Sequence, residues 1–312
     1  VKIKSKRRLV YGPVRSRRLG LSLGIDLVPF KVCDFDCIYC QVGRTTELTI
    51  ERKPYVSAEE ILKQVKSTIA EGVQIDFLTF SGSGEPTLNS QLGEIIDSLK
   101  AFTRLPIAVI TNGSLLFRPD VRQDLQNADV VLPTLCTARE ESLKKINRMH
   151  QSLKIETIIA GQVDFRKEFK GKIWLEIMLI KGFNDGPEEL EALKAAVARI
   201  RPDKIHLNTV VRPPSESFAR PLSYEELLRI RAFFGAGCEL IAEFDRGQPD
   251  KEYQDQDRSI LGLVKRRPVT REDIAGGLGL EPGKVAESLE RLIDEGKILS
   301  VEHGGRIFYQ AS

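Results

Sequence analysis

Residues 32 to 40 read Val-Cys-Asp-Phe-Asp-Cys-Ile-Tyr-Cys, which places Cys33, Cys37 and Cys40 within eight positions of a 312-residue chain that has five cysteines in all. Pairing neighbours would leave an odd thiol, and disulfide frameworks belong to small secreted chains. The cluster reads instead as a ligand set in a reducing compartment. A tetrahedral zinc needs four ligands. The loop supplies three, and His150, His206, Cys136 and Cys238 stand at no zinc-knuckle spacing from it. Three thiolates can instead hold three irons of a [4Fe–4S] cluster and leave the fourth iron open. An open iron points to catalysis rather than electron storage.

Outward from this loop, short apolar runs alternate with amphipathic stretches. The runs are LSLGIDLVP (21–29), DFLTFSGSGEP (76–86), PIAVITNGS (106–114), DVVLPTLCTA (129–138), KIWLEIMLIKGFND (172–185) and KIHLNTVVRPP (204–214). Between them lie helical patterns such as 57–72, with Ser57 as N-cap, Glu60 at the capping-box position and Gly72 as stop. A second spans 186–200, with Pro187 in its first turn. Apolar strands alternating with helices argue for βα units on a parallel sheet. Six units are too few for a closed eight-stranded barrel, so the expected fold is α/β, a partial (β/α)6 barrel with its chemistry at the carboxyl ends of the strands.

The polar segment 244–259 reads as a linker, dividing the chain into a core over 1–250 and a small domain over 251–312. The small domain shows a short helix, a second capped by Thr270 with Asp273 at the box position, a third helix, and two alternating strands around His303-Gly304-Gly305. Three helices and a hairpin predict a winged helix-turn-helix. From residue 255 onward nine cations face ten acids, and the expected recognition helix carries Glu281, Glu287, Glu290, Asp294 and Glu295 against Lys284 and Arg291. Such a helix would repel a phosphate backbone, so DNA is disfavoured and a docking module or lid fits better.

With 41% hydrophobic residues the chain can bury a sizeable core. No apolar run approaches the ~20 residues that cross a bilayer, and VKIKSKRRLV has no apolar signal segment, so the expected location is the cytoplasm without a membrane partner. A net charge of +3 does not point to nucleic acid across the whole surface. Yet Lys2, Lys4, Lys6, Arg7, Arg8, Arg15, Arg17 and Arg18 precede Leu19 with no acid among them. They form either a solvated arm or an electropositive rim for an anionic substrate or RNA.

The C-x3-C-x2-C spacing with Tyr39 before the last cysteine, after a first strand, resembles the radical S-adenosylmethionine (SAM) enzymes. The resemblance implies that the open iron chelates the amino and carboxylate groups of SAM. An electron then cleaves SAM to methionine and a 5′-deoxyadenosyl radical, which takes a hydrogen from the substrate. By the same likeness Tyr39 would lie near the adenine, Ser83-Gly84-Glu85-Pro86 would receive the SAM ammonium, Thr111-Asn112-Gly113 would add a polar contact, and Thr134 would meet the ribose. The Ser83–Pro86 run is also a plain tight turn, and Asn184 and Asp185 are as readily turn formers as ligand contacts.

Residues 11–43, with SLKKINR (142–148) and LIKGFND (179–185), are similar to the Fe–S oxidoreductases grouped with the tRNA wyosine-base synthases, which act on tRNA with pyruvate. Those synthases carry a second cysteine set that this chain lacks. Cys136 stands where such relatives have aspartate. It either packs as a small hydrophobe or faces substrate, returning a hydrogen atom or holding an intermediate. Lys181 is either a surface cation or a Schiff-base former. Strand alternation aims Glu176 inward as a proton acceptor or anchor, and places His206 and Asn208 on one face that can reach the pocket, with Asn208 expected at the cofactor and His206 equally a satisfied core histidine. Arg212 suits a carboxylate or phosphate. Expected partners are a reductant such as flavodoxin or ferredoxin and a substrate that is RNA, peptide or a small molecule. The competing class is a DNA-binding iron–sulfur sensor that would not cleave SAM.

Overall fold

The computed structural model describes residues 8–241 and 256–312. Lys2, Lys4, Lys6 and Arg7 of the cationic arm, most of the expected linker and the 250/251 boundary lie outside the described residues.

The chain opens with a hairpin, β1 (Val10–Ser16) and β2 (Gly20–Ile25), and the cysteine loop then makes a two-residue pairing between β3 (Val32–Cys33) and β4 (Glu47–Leu48). Alternation follows: α1 (Ala58–Ala70), β5 (Phe77–Phe80), α2 (Leu92–Phe102), β6 (Ile107–Thr111), α3 (Pro119–Asp124), β7 (Val130–Leu135), α4 (Glu140–Ile146) and α5 (Ile155–Glu168). It continues through β8 (Lys172–Leu179), α6 (Pro187–Ile200), β9 (Lys204–Thr209), α7 (Tyr224–Phe234) and β10 (Cys238–Leu240). The main sheet runs β1-β2-β5-β6-β7-β8-β9-β10, antiparallel only between β1 and β2. Its end strands do not pair with each other, which leaves a partial barrel. The six expected βα units are β2 and β5 to β9 with the helices that follow each.

Strand periodicity divides the core. Val109, Val131, Leu175, Ile177 and Leu207 pack with helix residues such as Ile95, Leu99, Ile158, Phe165 and Leu193, while Ala108, Val130 and Leu132 fill the base of the concave side with Leu19. Ser57 caps α1 by accepting from the Glu60 amide, and Pro187 opens α6, both where the sequence puts them.

The C-terminal unit comprises α8 (Gln256–Val264), α9 (Arg271–Leu278), α10 (Pro282–Asp294) and the antiparallel pair β11 (Ile298–His303) and β12 (Arg306–Ala311). Thr270 and Asp273 form the full capping box of α9. The unit has its own core of Ile260, Leu263, Ile274, Val285, Leu289 and Ile298, and Val14 of β1 belongs to it. β1 was not expected, because the cationic run from Arg7 to Arg18 hides its strand pattern. It is the seam between sheet and C-terminal unit, and the packing covers a sheet edge that would otherwise offer unpaired backbone.

Candidate active site

The carboxyl ends of the strands surround a cavity of about 320 Å³, within the range of small-molecule sites. Cys33, Cys37 and Cys40 all line it. Their loop is pinned on two sides. The connection around α4 and α5 receives it through Asp36 N–Asn147 O (2.9 Å), Ile38 N–Ile146 O (2.9 Å) and His150 N–Asp34 O (2.8 Å). On the other side the Glu85 amide donates to Val32 O at 3.2 Å. Gly84 makes that approach possible, since a Cβ there would sit 1.9 Å from Val32 O.

Each thiol has a polar neighbour: Lys31 Nζ is 3.1 Å from Cys40 Sγ, Asn147 Nδ2 3.3 Å from Cys37 Sγ, and Asn112 Nδ2 3.9 Å from Cys33 Sγ. Burial pushes the Cys33 thiol well above its ordinary pKa, with Asp34 adding to it, and burial with the nearby Cys136 and Cys40 does the same to Cys37. Ionising such thiols takes a strong local positive charge, which a metal centre brings. Among the described residues no three His, Cys, Asp or Glu side chains are grouped to hold one metal ion. Separate irons of a cluster, each taking its own thiolate, make no such demand.

The turns beside the loop are tied together by carboxylates. Glu85 accepts from Thr87 N (3.0 Å), Thr87 Oγ1 (2.6 Å), Thr111 Oγ1 (2.6 Å) and Asn112 N (2.8 Å). Burial and the charge of Asp34 raise its pKa to about 7. Asp34, also raised by burial, accepts from Ser114 and Asn112 and so joins the cysteine loop to the turn after β6. Ser83 donates to Asp26 at 2.5 Å. Tyr39, Ser83, Gly84, Glu85, Thr111, Asn112, Thr134 and Asn208 all line the cavity.

Glu176 lines it too, paired with Arg18 and accepting from Asn208 Nδ2 at 3.4 Å. Burial alone would raise its pKa, but Arg18, Arg17 and the Asn208 hydrogen bond more than reverse that and hold it below the usual carboxylate value. A carboxylate so stabilised is an anchor, and a poor proton acceptor.

Three candidates that the sequence left open between site and structure lie off the cavity wall. Cys136 does not line the cavity: it is 3% exposed, packed with Ile38, Ile146, Met178 and Ile180, and its Sγ lies 3.0 Å from the Oη of Tyr39, which does line it. Burial raises its pKa to about 12. Lys181 is exposed outside the cavity, where the turn at Gly182 (φ 77°) follows and Glu226 of α7 takes its Nζ at 3.1 Å. His206 is buried one pair below the rim, opposite Glu176 in the β8–β9 register and edge-on to Trp174.

Sequence reasoning missed Lys31, and it missed Arg266 and Arg267, which reach the cavity from the end of α8. Arg17, Arg18 and Arg212 line it as well, so part of the cationic run is rim rather than solvated arm.

Residues 27–195, more than half the chain, match the family described as the Radical SAM superfamily. The chain belongs to the radical SAM superfamily. This radical SAM protein is 36% identical over 303 residues to the GTPase Obg of Brachyspira hyodysenteriae, a match that covers 95% of this chain and 44% of that protein. The chain therefore spans under half of that relative, and it has no G-x4-G-K-S/T phosphate loop of its own. It is 35% identical over 308 residues to the UPF0026 protein MJ1312 of Methanocaldococcus jannaschii, with 96% of this chain and 95% of that one covered. The structure of TYW1 with a lysine-pyruvate adduct bound shares its fold at a TM-score of 0.53 and 21% identity, over 72% of this chain and 75% of that one. The radical SAM protein is thus an enzyme, and the cofactors of its superfamily are a [4Fe–4S] cluster and SAM.

Proposed function

We propose that this enzyme cleaves SAM reductively and abstracts hydrogen from a substrate held in the same cavity, with a tRNA base as the first candidate. One observation carries the reading: the three thiols and the polar ends of β5, β6, β7 and β9 share a single cavity. Cys33, Cys37 and Cys40 would hold the cluster. Tyr39, Ser83, Gly84, Glu85, Thr111, Asn112, Thr134 and Asn208 would hold SAM. Bound together and reduced, the two supply a 5′-deoxyadenosyl radical. What the chain itself contributes is orientation: Glu85 ties the turns after β5 and β6 together at the cavity wall, Lys31 sets a cation beside Cys40, and the Arg18–Glu176 pair braces the wall at β8.

The electron would come from a flavodoxin or ferredoxin, and the location would be the cytoplasm. No helix among the described residues is long and apolar enough to cross a membrane. The C-terminal unit, which we read as a winged helix, turns Arg266 and Arg267 inward and so leaves its outer face still more acidic, which speaks against a DNA-binding sensor. A second reading, a peptide-modifying enzyme whose winged helix docks the substrate, draws on the exposed Ile293, Leu299 and Ile307 of that unit.

The test is anaerobic. Protein reconstituted with iron and sulfide, given dithionite and SAM, should form 5′-deoxyadenosine, more so with the right RNA or peptide pool, and Cys33→Ala, Cys37→Ala and Cys40→Ala should each abolish it. A fully loaded cluster that cleaves no SAM with any pool present would overturn the proposal.

A further inference from the structure

The side chains that line the cavity carry more cations than carboxylates. Its walls carry Lys31, Arg17, Arg18, Arg212, Arg266 and Arg267 against the carboxylates of Glu85 and Glu176. Lys31 belongs to the thiol end and Arg18 to Glu176. Arg17 donates to Ile241 O at 2.6 Å and Arg212 to Gln41 Oε1 at 3.1 Å, with Asp273 3.9 Å away. Arg266 lies over the Tyr11 ring at 4.3 Å and donates to Arg8 O at 2.7 Å, with Asp26 at 3.8 Å. Arg267 differs from these. It pairs with no carboxylate among the described residues, and its Nε is buried without a hydrogen-bond partner there.

Guanidinium groups crowded in a water-poor space repel one another, and a buried ion without a counter-ion costs several kcal/mol. Burial, then Arg267 and Arg17, draws Arg212 well below its ordinary pKa; burial with Arg18 lowers Arg17 to about 10, and burial lowers Arg267 as well. SAM would not relieve this, because its ammonium and sulfonium outnumber its one carboxylate, and the negative charge of a three-thiolate cluster would lie at the Lys31 end of the cavity. A counter-ion for Arg267 is therefore a part for the substrate to supply.

We propose that the substrate carries a phosphate group, and that Arg267, with Arg212 beside it, anchors that phosphate beneath the C-terminal unit. Planar guanidinium forks suit a phosphate, which offers several acceptor oxygens and up to two negative charges. The C-terminal unit then acts as a specificity element, delivering its contact from Arg267 at the end of α8. This rests on the reading of the cavity as a SAM site, but its test does not require SAM to react.

The experiment is calorimetric titration of the cluster-loaded full chain with inorganic phosphate, at constant ionic strength against chloride. Saturable binding is expected in the parent, weakened about tenfold or more in Arg267→Gln, the loss of one charge-assisted contact, and unchanged in Arg291→Gln, an exposed arginine paired with Asp257. Cluster absorbance and far-UV circular dichroism establish that each variant is loaded and folded. Equal phosphate binding by parent and Arg267→Gln, or none by the parent, would overturn the proposal; 5′-deoxyadenosine formation, scored separately, reports on the SAM reading. Competition then separates the sources. Displacement of phosphate by adenosine monophosphate but not by a single-stranded RNA oligonucleotide identifies a free nucleotide-like substrate, displacement by the oligonucleotide identifies RNA, and displacement by neither identifies a phosphorylated molecule that is not a nucleotide.

Discussion

Gly84→Ala is expected to destabilise the apoprotein by ~3 kcal/mol or more and to prevent cluster loading, since overpacking alone costs ~1–3 kcal/mol and here the obstruction is backbone. The new methyl would sit 1.9 Å from Val32 O and 2.9 Å from Val28 Cγ2. Neither can rotate aside as a flexible side chain would. Val32 directly precedes Cys33, so the strain is relieved by moving the cysteine loop away from the turn that carries Glu85. Urea midpoints and iron content per chain, after anaerobic reconstitution, measure the two halves of the prediction. Gly283→Ala in α10 is the control: nothing lies within 4 Å of its Cβ position, and removing a glycine from a helix should stabilise by ~0.5 kcal/mol. A Gly84→Ala protein with parental midpoint and full iron would show that the loop yields freely, and would remove the steric account of this turn.

Arg18→Ala is expected to cost ~3–5 kcal/mol, because it strands the buried Glu176 carboxylate. Both side chains are largely buried, at 13% and 11% exposure, so solvent does little to screen the pair. Arg18→Met combined with Glu176→Met should recover most of the loss, since an apolar pair of similar volume removes the desolvation cost with the charges. The pH dependence has a definite sign. In the parent Glu176 is held below its ordinary pKa, so the stability it confers is present above the unfolded value of about 4.3 and fades as pH falls through the lower folded value. In Arg18→Ala the buried carboxylate, left with Arg17 and the Asn208 hydrogen bond, takes up a proton more readily. The deficit relative to parent should therefore narrow as pH drops from 7 toward 4, and a deficit that stayed constant over that range would place the cost in lost packing.

Much of this was legible because the relevant signals are local. The spacing of Cys33, Cys37 and Cys40 is written in eight residues, and the apolar runs that end in glycine-rich or polar turns marked six of the parallel strands and most of the cavity wall. Helix starts at Ser57, Pro187 and Thr270 were carried by side chains that bond to, or shape, the first turn next to them. What escaped was tertiary. Alternation along β7 puts Cys136 on the parity of the cavity-lining Thr134, but Cys136 is buried in a small apolar cluster with its Sγ against the Tyr39 hydroxyl from another loop. Lys181 follows the end of β8, where chemistry was expected, but the chain has already turned outward at Gly182. Arg266 and Arg267 counted in the sequence only as two charges in a nearly neutral domain. Nothing near them signals that α8 ends over a cavity built from residues about 50 to about 250 positions earlier.

That separation has a consequence in time. Cys40 precedes Arg267 by 227 residues, which at ordinary translation speeds of ~5–20 residues per second is a lag of ~10–45 s. During that interval the nascent chain has made its three thiols but not Arg266 and Arg267, so the cysteine loop is accessible before the C-terminal unit can pack against β1.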